Sequence, residues 1–254
     1  MAAVEVSIKN DTVMVIRLNR PEVRNAVNTE LAEGLGAALD RLDNEEALRV
    51  AIVTGNGLGF CSGMDLGAML NGESGMIPGR GFAGIVERSS TKPIIAAIEG
   101  FAVAGGFEIA LSCDILVASK GTLFGLPEVR RGLVASGGGL LRLAVRIPYH
   151  VAMEMALTGD TINAERAYSL GLISQLVEPG EALDHALQLA ATITSNAPMS
   201  INASKAIVKN ARDWSSSESF ARQAEYSAVI AASEDAREGA AAFKRKRVPI
   251  WQGK

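Results

Sequence analysis

The chain has 254 residues, of which 48% are hydrophobic and 21% charged, with a formal net charge of −3. This is the make-up of a globular chain long enough for a sizeable core, and it excludes a disordered protein. An acidic balance gives neither a nucleic acid nor an anionic membrane a global electrostatic footing, so no partner of either kind is expected.

Cys61 and Cys113 form no CxxC pair and no disulfide framework, which fits a reduced, cytoplasmic setting. The opening residues 1–11 lack the basic and then apolar runs of a secretory signal. Residues 94–118 are the most membrane-like window, but they carry Glu99, Glu108 and Asp114. At about 2.5–3.5 kcal/mol per central charge, those acids oppose insertion.

In chain order, residues 4–8 and 13–18 suit strands, with Asn10-Asp11 as a hairpin turn. From Asn28 the period becomes helical: Leu31, Leu35, Ala38, Leu39 and Leu42 share a face, Asn28 can cap, and Glu30 lies in the first turn. Residues 50–54 read as a buried strand. Residues 66–90, with five glycines between Gly72 and Gly84 plus Pro78, fit a mobile loop and a broken helix equally. A strand resumes at 93–98, a helix follows Gly105 to about Ser112, and 115–118 form another strand. Past Pro148 the signals are nearly all helical, over 149–157, 164–170, 182–195, 199–212, 217–233 and 234–247. No linker composition interrupts the chain, so one α/β domain over 1–254 is expected, with a helical extension.

Two carboxylates stand in apolar surroundings. Glu108 follows the Gly105-Gly106 pair, and Glu128 comes 20 residues later, after Pro127. Burying an unpartnered ionisable group costs several kcal/mol or neutralises it, so the two glutamates read as an acid/base pair. Two backbone corners, Gly63-Met64-Asp65 after strand 50–54 and Ala104-Gly105-Gly106 after strand 94–98, could each aim an N–H at a developing oxyanion. From spacing alone, each corner is equally an oxyanion donor or a plain tight turn.

Other patterns carry less. Gly79-Arg80-Gly81-Phe82-Ala83-Gly84 matches a dinucleotide fingerprint, with Glu99 at the distance of a ribose acid, but no strand precedes it. Gly59-Phe60-Cys61-Ser62-Gly63 resembles a nucleophile elbow without a base, since the chain's histidines are His150 and His185. No metal-ligand spacing appears, and no metal is expected. The basic run Lys244-Arg245-Lys246-Arg247 suits a helix C-terminus, with a phosphate contact as its functional alternative.

Several ordered motifs resemble the crotonase (enoyl-CoA hydratase/isomerase) superfamily. They are Phe60-Cys61-Ser62-Gly63-Met64-Asp65-Leu66, the stretch 100–114, Phe124-Gly125-Leu126-Pro127-Glu128 with residues 129–132, and Ser136-Gly137-Gly138-Gly139 with residues 140–143. Residues 20–26, 157–160 and 238–247 also match. The resemblance covers about residues 4–250. It implies a crotonase (ClpP-like) α/β spiral of ββα units over about 1–195, a helical oligomerisation region over about 196–254, and a trimer or dimer of trimers.

The resemblance further implies a coenzyme A thioester substrate with no prosthetic group, its carbonyl held by the N–H groups of Met64 and Gly105. Glu108 would activate water and Glu128 would protonate the α-carbon. Cys61, Ser62, Gly63, Asp65, Leu66, Gly106 and Pro127 would line the substrate. Arg24 would meet the coenzyme A phosphates, with Phe243 and Lys246, often from a neighbouring subunit, near the adenine and ribose phosphate. Residues 66–90, including Met69, Leu70, Met76, Ile77 and Phe82, would border the acyl group. Hydration of a trans-2-enoyl-CoA is the activity expected. Its alternatives are a specialised dehydratase of the carnitinyl-CoA type, a double-bond isomerase, a non-catalytic acyl-CoA binder and an RNA-binding member.

Overall fold

The computed structural model describes residues 2–254. Strands β1 (Val4–Lys9) and β2 (Val13–Leu18) pair antiparallel around Asn10 and Asp11, whose φ values of 48° and 58° suit the twist of a tight hairpin. Helix α1 (Thr29–Asn44) begins where expected, with the Asn28 side chain accepting the Leu31 N–H. Its apolar stripe is buried, and β3 (Val50–Gly55) follows.

Residues 66–90 are neither a plain loop nor one broken helix. They hold a short helix α2 (Leu66–Leu70) and a small hairpin of β4 (Met76–Ile77) and β5 (Gly81–Phe82). Arg88 anchors the segment to α1 through Asp40 and Asp43, at 2.8 and 2.7 Å.

The next stretch sets the site. Strand β6 (Ile94–Ile98) turns at Gly100 into β7 (Phe101–Val103), which leads into α3 (Gly105–Ser112). The same order recurs in β8 (Ile115–Ser119), β9 (Leu123–Gly125) and, after a 3-10 turn at Pro127–Arg131, α4 (Gly139–Arg146). Each repeat gives one strand to a large sheet and one to a small sheet. The 105–106 corner therefore follows β7, not strand 94–98 directly. A three-residue strand is too short for alternation to reveal.

Beyond Pro148 come α5 (Tyr149–Thr158), β10 (Ile162–Asn163), α6 (Ala164–Ser169), β11 (Gln175–Val177), α7 (Ala182–Thr194), α8 (Pro198–Asn210), α9 (Ser219–Ala232) and α10 (Glu234–Lys244). The reading of this half as nearly all helical misses β10 and β11, which are two and three residues long. The large sheet runs β1-β2-β3-β6-β8-β11, parallel except for the first pair, and the small sheet runs β10-β9-β7.

The large sheet is covered on both faces, as parallel sheets require. Met14, Ile16, Leu18, Ala51 and Val53 face α1, α3 and the small sheet. Val13, Val15, Val50 and Ile52 face α7, whose Ala182, Ala186 and Ala190 recur every four residues and let the helix lie close. Each fully buried Leu, Ile or Val contributes about 1.5–3 kcal/mol, so both faces hold the sheet rigid. Glu99 accepts the Gly180 and Ala182 N–H groups at 3.1 and 3.0 Å, capping α7. That role and the hairpin at Gly81 leave the dinucleotide fingerprint without a site.

Candidate active site

Pairing with β7 brings the two backbone corners together. Phe60 N–H donates to Phe101 O at 2.9 Å, and Val103 N–H donates to Cys61 O at 3.1 Å, so residues 60–61 extend the small sheet beyond β7. The approach is close enough that a Cβ at Gly106 would lie 2.1 Å from Cys61 O. Gly63, at φ +94°, lies against the second corner: a Cβ there would stand 2.8 Å from Gly105 N. Met64 and Gly105 are thus neighbours across 41 residues of sequence.

The donors are also aimed. Ala104 adopts φ 51° and ψ −135°, a conformation that costs a non-glycine residue about 1–3 kcal/mol. Its N–H donates to Gly125 O at 2.9 Å, which holds the strained turn in place. Around Met64, Val27 N–H donates to Gly63 O at 2.7 Å and Asp65 N–H to Val27 O at 2.9 Å. Among the described residues, neither the Met64 nor the Gly105 N–H donates to a protein acceptor. Gly105 opens α3, so the helix dipole adds positive potential at that corner.

Glu108 stands one turn along α3 and is 4% exposed. Its Oε1 accepts the Gly139 N–H at 2.9 Å. Burial pushes its carboxyl above the ordinary range, while the Gly139 and Gly137 N–H groups and Arg142 pull the other way, toward the carboxylate. Glu128, in the 3-10 turn, is half-buried rather than enclosed in the core as its apolar neighbours suggested. Burial raises it first, its own backbone N–H opposes, and the charge of Glu108 raises it further. Its Oε2 is buried without a hydrogen-bond partner. The two carboxyl groups are therefore close enough to interact. Burial raises both, against the pull of two N–H groups and Arg142 at Glu108 and with the Glu108 charge adding to the rise at Glu128.

The remaining expected residues divide. Asp65 accepts from the Gly67 and Ala68 N–H groups, capping α2, and pairs with Arg20 at 3.0 Å; burial raises its carboxyl, but these partners outweigh it and hold it low. Ser62 N–H donates to Arg24 O at 3.1 Å, which places the exposed Arg24 beside the corner loop. Cys61 is buried, its Sγ donates to Asn25 O at 3.1 Å, and burial pushes its thiol up to about 12. It is no nucleophile. Pro127 opens the turn that carries Glu128, and Leu66 is exposed at the start of α2.

Phe82 is buried against both corners: a Cβ at Gly105 would meet its ring at 2.5 Å, and one at Gly75 would meet the same ring and the Met64 sulfur. Ile77 is half-buried, but Met69, Met76 and especially Leu70, at 85% exposure, face outward. Phe243 is 88% exposed on α10, whose main packing is on α9. Lys246 lies just past that helix with φ 52°. This chain does not bring Phe243 or Lys246 to the two corners. Arg247 is accounted for by a bidentate pair with Glu238, at 2.5 and 2.7 Å.

Sequence reasoning assigned no role to Gly137, Gly139 and Arg142. Side chains at 137 and 139 would run into the Glu108 carboxyl and stem, at 2.6 and 2.8 Å. Arg142 donates to Gly137 O at 3.1 Å and to Val86 O, tying the Glu108 cradle to the 66–90 segment. Three successive glycines ahead of a leucine-rich helix were the available signal.

Comparison with known proteins agrees with this geometry. Residues 8–254 match the family model described as Enoyl-CoA hydratase/isomerase. A crystal structure of an enoyl-CoA hydratase from Mycobacterium tuberculosis H37Rv superposes with a TM-score of 0.98 at 50% identity, covering 100% of both chains. The enoyl-CoA hydratase EchA19 of Mycobacterium tuberculosis is 38% identical over 95% of this chain and 93% of its own. The carnitinyl-CoA dehydratase of Proteus mirabilis is 38% identical over 96% of each. Two sheets built from recurring strand–strand–helix units are the crotonase fold, and the chain belongs to the enoyl-CoA hydratase/isomerase family.

Proposed function

We propose that the protein is an enoyl-CoA hydratase, adding water across the trans-2 double bond of an acyl-CoA thioester to give 3-hydroxyacyl-CoA. One observation carries this reading: two unpaired N–H groups, of Met64 and Gly105, stand side by side near two interacting carboxyls, Glu108 on α3 and Glu128 in the 3-10 turn. The thioester oxygen sits between the Met64 and Gly105 N–H groups, where negative charge gathers as the β-carbon is attacked. Losing one such donor costs on the order of 2.7–4 kcal/mol.

Glu108, which accepts the Gly139 N–H and has Arg142 opposing the effect of burial, takes the proton of the attacking water. Glu128, raised by burial and by its neighbour's charge, delivers a proton to the α-carbon. The water's oxygen ends on the β-carbon, and no oxidant or prosthetic group enters the balance. Arg24 holds a coenzyme A phosphate, and Phe82 limits the acyl group.

We read residues 1–195 as the catalytic core and 196–254 as an oligomerisation region. In a trimer or dimer of trimers, Phe243 and Lys246 would serve a neighbouring subunit's coenzyme. A cytoplasmic location completes the reading.

Dehydration of a specialised 3-hydroxyacyl-CoA is the second reading, supported by the likeness to carnitinyl-CoA dehydratase. It uses the same groups in reverse. The test is loss of the ultraviolet absorbance of crotonyl-CoA. Glu108→Gln and Glu128→Gln should each slow it by roughly 10²–10⁴-fold while acyl-CoA still binds. Unchanged turnover in either variant sinks the acid/base pair. Tight binding with no turnover by the wild type on any enoyl-CoA leaves a non-catalytic binder.

A further inference from the structure

A second site lies at the opposite end of α3. Eight residues at 1.5 Å each put its last turn about 12 Å from the oxyanion corners. There a cavity of about 980 Å³ opens between α8, α4 and the starts of β6 and β8. Six cations line it: Arg88, Arg142, Arg146, Lys205, Lys209 and Arg212. Asp114 is the one carboxylate in the wall.

The charges do not balance. Arg88 is neutralised by Asp40 and Asp43, and Lys205 by Asp114 at 2.8 Å. Arg142 and Arg212 donate to backbone carbonyls, which hold the guanidinium groups in place without cancelling their charge. Among the described residues, Arg146 and Lys209 make no ion pair and no side-chain hydrogen bond. Three positive charges, of Arg146, Lys209 and Arg212, therefore share one concavity without an acidic partner among the described residues, with Arg142 between it and the Glu108 carboxyl. All three are solvent-exposed along the wall, in a chain whose formal net charge is −3.

Cations of one sign lining a concavity focus its field and raise the local concentration of anions. A single carboxylate leaves most of the charge in place, whereas a multivalent anion matches it. Arginine forks and lysine ammonium groups suit phosphate oxygens. Ser200 and Ser204, one turn apart on α8 beside Lys205, add two hydroxyl donors to the same wall. A concave site closed by one helix admits a small molecule rather than a polymer.

We propose that this cavity binds a small phosphate-bearing polyanion, at a site separate from the thioester. The inference stands on the cavity and its charges, and does not depend on the reaction assigned to the glutamates. Arg142 belongs to both regions, since it touches the cradle of Glu108 on one side and the cavity on the other.

Calorimetric titration of the full chain with pyrophosphate, at ionic strength held constant with sodium chloride, tests it. Saturable binding is expected, and Arg146→Gln/Lys209→Gln should weaken it by at least about tenfold. That double variant should keep its crotonyl-CoA turnover and should not lower the thermal midpoint, because both side chains are solvent-exposed and make no ion pair among the described residues. Ser200→Ala/Ser204→Ala, which leaves the charges alone, should weaken binding by a smaller factor. Four results would each overturn the site: no binding above the chloride control, equal binding by the charge variant, citrate binding as tightly as pyrophosphate, or displacement of pyrophosphate by coenzyme A.

Discussion

Helix α3 is short and almost wholly apolar, whereas α8 and α9 are longer and mix apolar with polar residues, and the chain treats them differently. Every residue of α3 from Gly105 to Leu111 is buried between the two sheets and α4. Helices α8 and α9 bury no residue completely, and they leave Val208 77% and Phe220 82% exposed. The tail is tied down at points: Lys205 to Asp114, Trp251 Nε1 to Ser195 O at 2.7 Å, and Asp235 to the Gln252 and Gly253 N–H groups. The contrast teaches where precision is held. The end proposed to be catalytic is enclosed by one chain's own sheets, while the tail leaves apolar side chains exposed, which we propose join a second copy.

The contrast breaks most sharply at Gly106. A Cβ there stands 2.1 Å from Cys61 O, so Gly106→Ala must push the 60–65 loop off β7. Overpacking of this kind costs about 1–3 kcal/mol and more where backbone is struck, so a lower denaturation midpoint and loss of hydration activity are expected together. An active, fully stable variant would mean that the loop is less rigidly paired than its hydrogen bonds imply.

A smaller effect follows at Arg142. Removing this cation leaves Glu108 with burial and one fewer stabilising charge, so its proton affinity rises. If Glu108 is the base, the acidic limb of kcat/KM in Arg142→Gln moves to higher pH, and the plateau falls roughly ten- to hundredfold as the cradle loosens. Arg142→Lys should restore the limb but not the plateau, because one ammonium cannot span both carbonyls. An unmoved limb would reduce Arg142 to packing.

The smallest effect on the folded chain belongs to the tail. Phe220→Ser and Val208→Ser should change the stability of a single chain by no more than about 0.5 kcal/mol, since both side chains meet solvent. If these faces join copies, the same changes lower the sedimentation coefficient at a given concentration and make the melting temperature depend more on dilution. Unaltered sedimentation would make the tail a solvated appendage and erase the contrast with α3.

Much of this was legible in the residues. The hairpin at Asn10-Asp11, the Asn28 cap and the stripe of α1 depend on neighbours within a few positions and stand as read. Glu108 is buried as its surroundings suggested, whereas Glu128 is half-buried. The resemblance supplied the fold and the family. Strands β7, β9, β10 and β11 escaped because two or three residues show no period. The resemblance put Leu70 and Met76 beside the acyl group, but Leu70 at the end of α2 and Met76 in the hairpin face outward, while Phe82 is seated against Gly105.

The sequence by itself determined the local pieces: where helices start, which faces are apolar, and which carboxyls stand among apolar neighbours. Propensity, capping and periodicity act over one or two turns, so they can be read from a single chain. Only the tertiary structure decided that Cys61 pairs beside Ala102, which sets the Met64 and Gly105 N–H groups side by side. It also decided that burial raises Glu108 against the pull of Gly139 and Arg142, while Glu128 keeps a buried, unpartnered oxygen. Those relations join residues tens of positions apart. They arise from sheet pairing and packing, which set distance and burial, and a carboxyl's proton affinity follows from both.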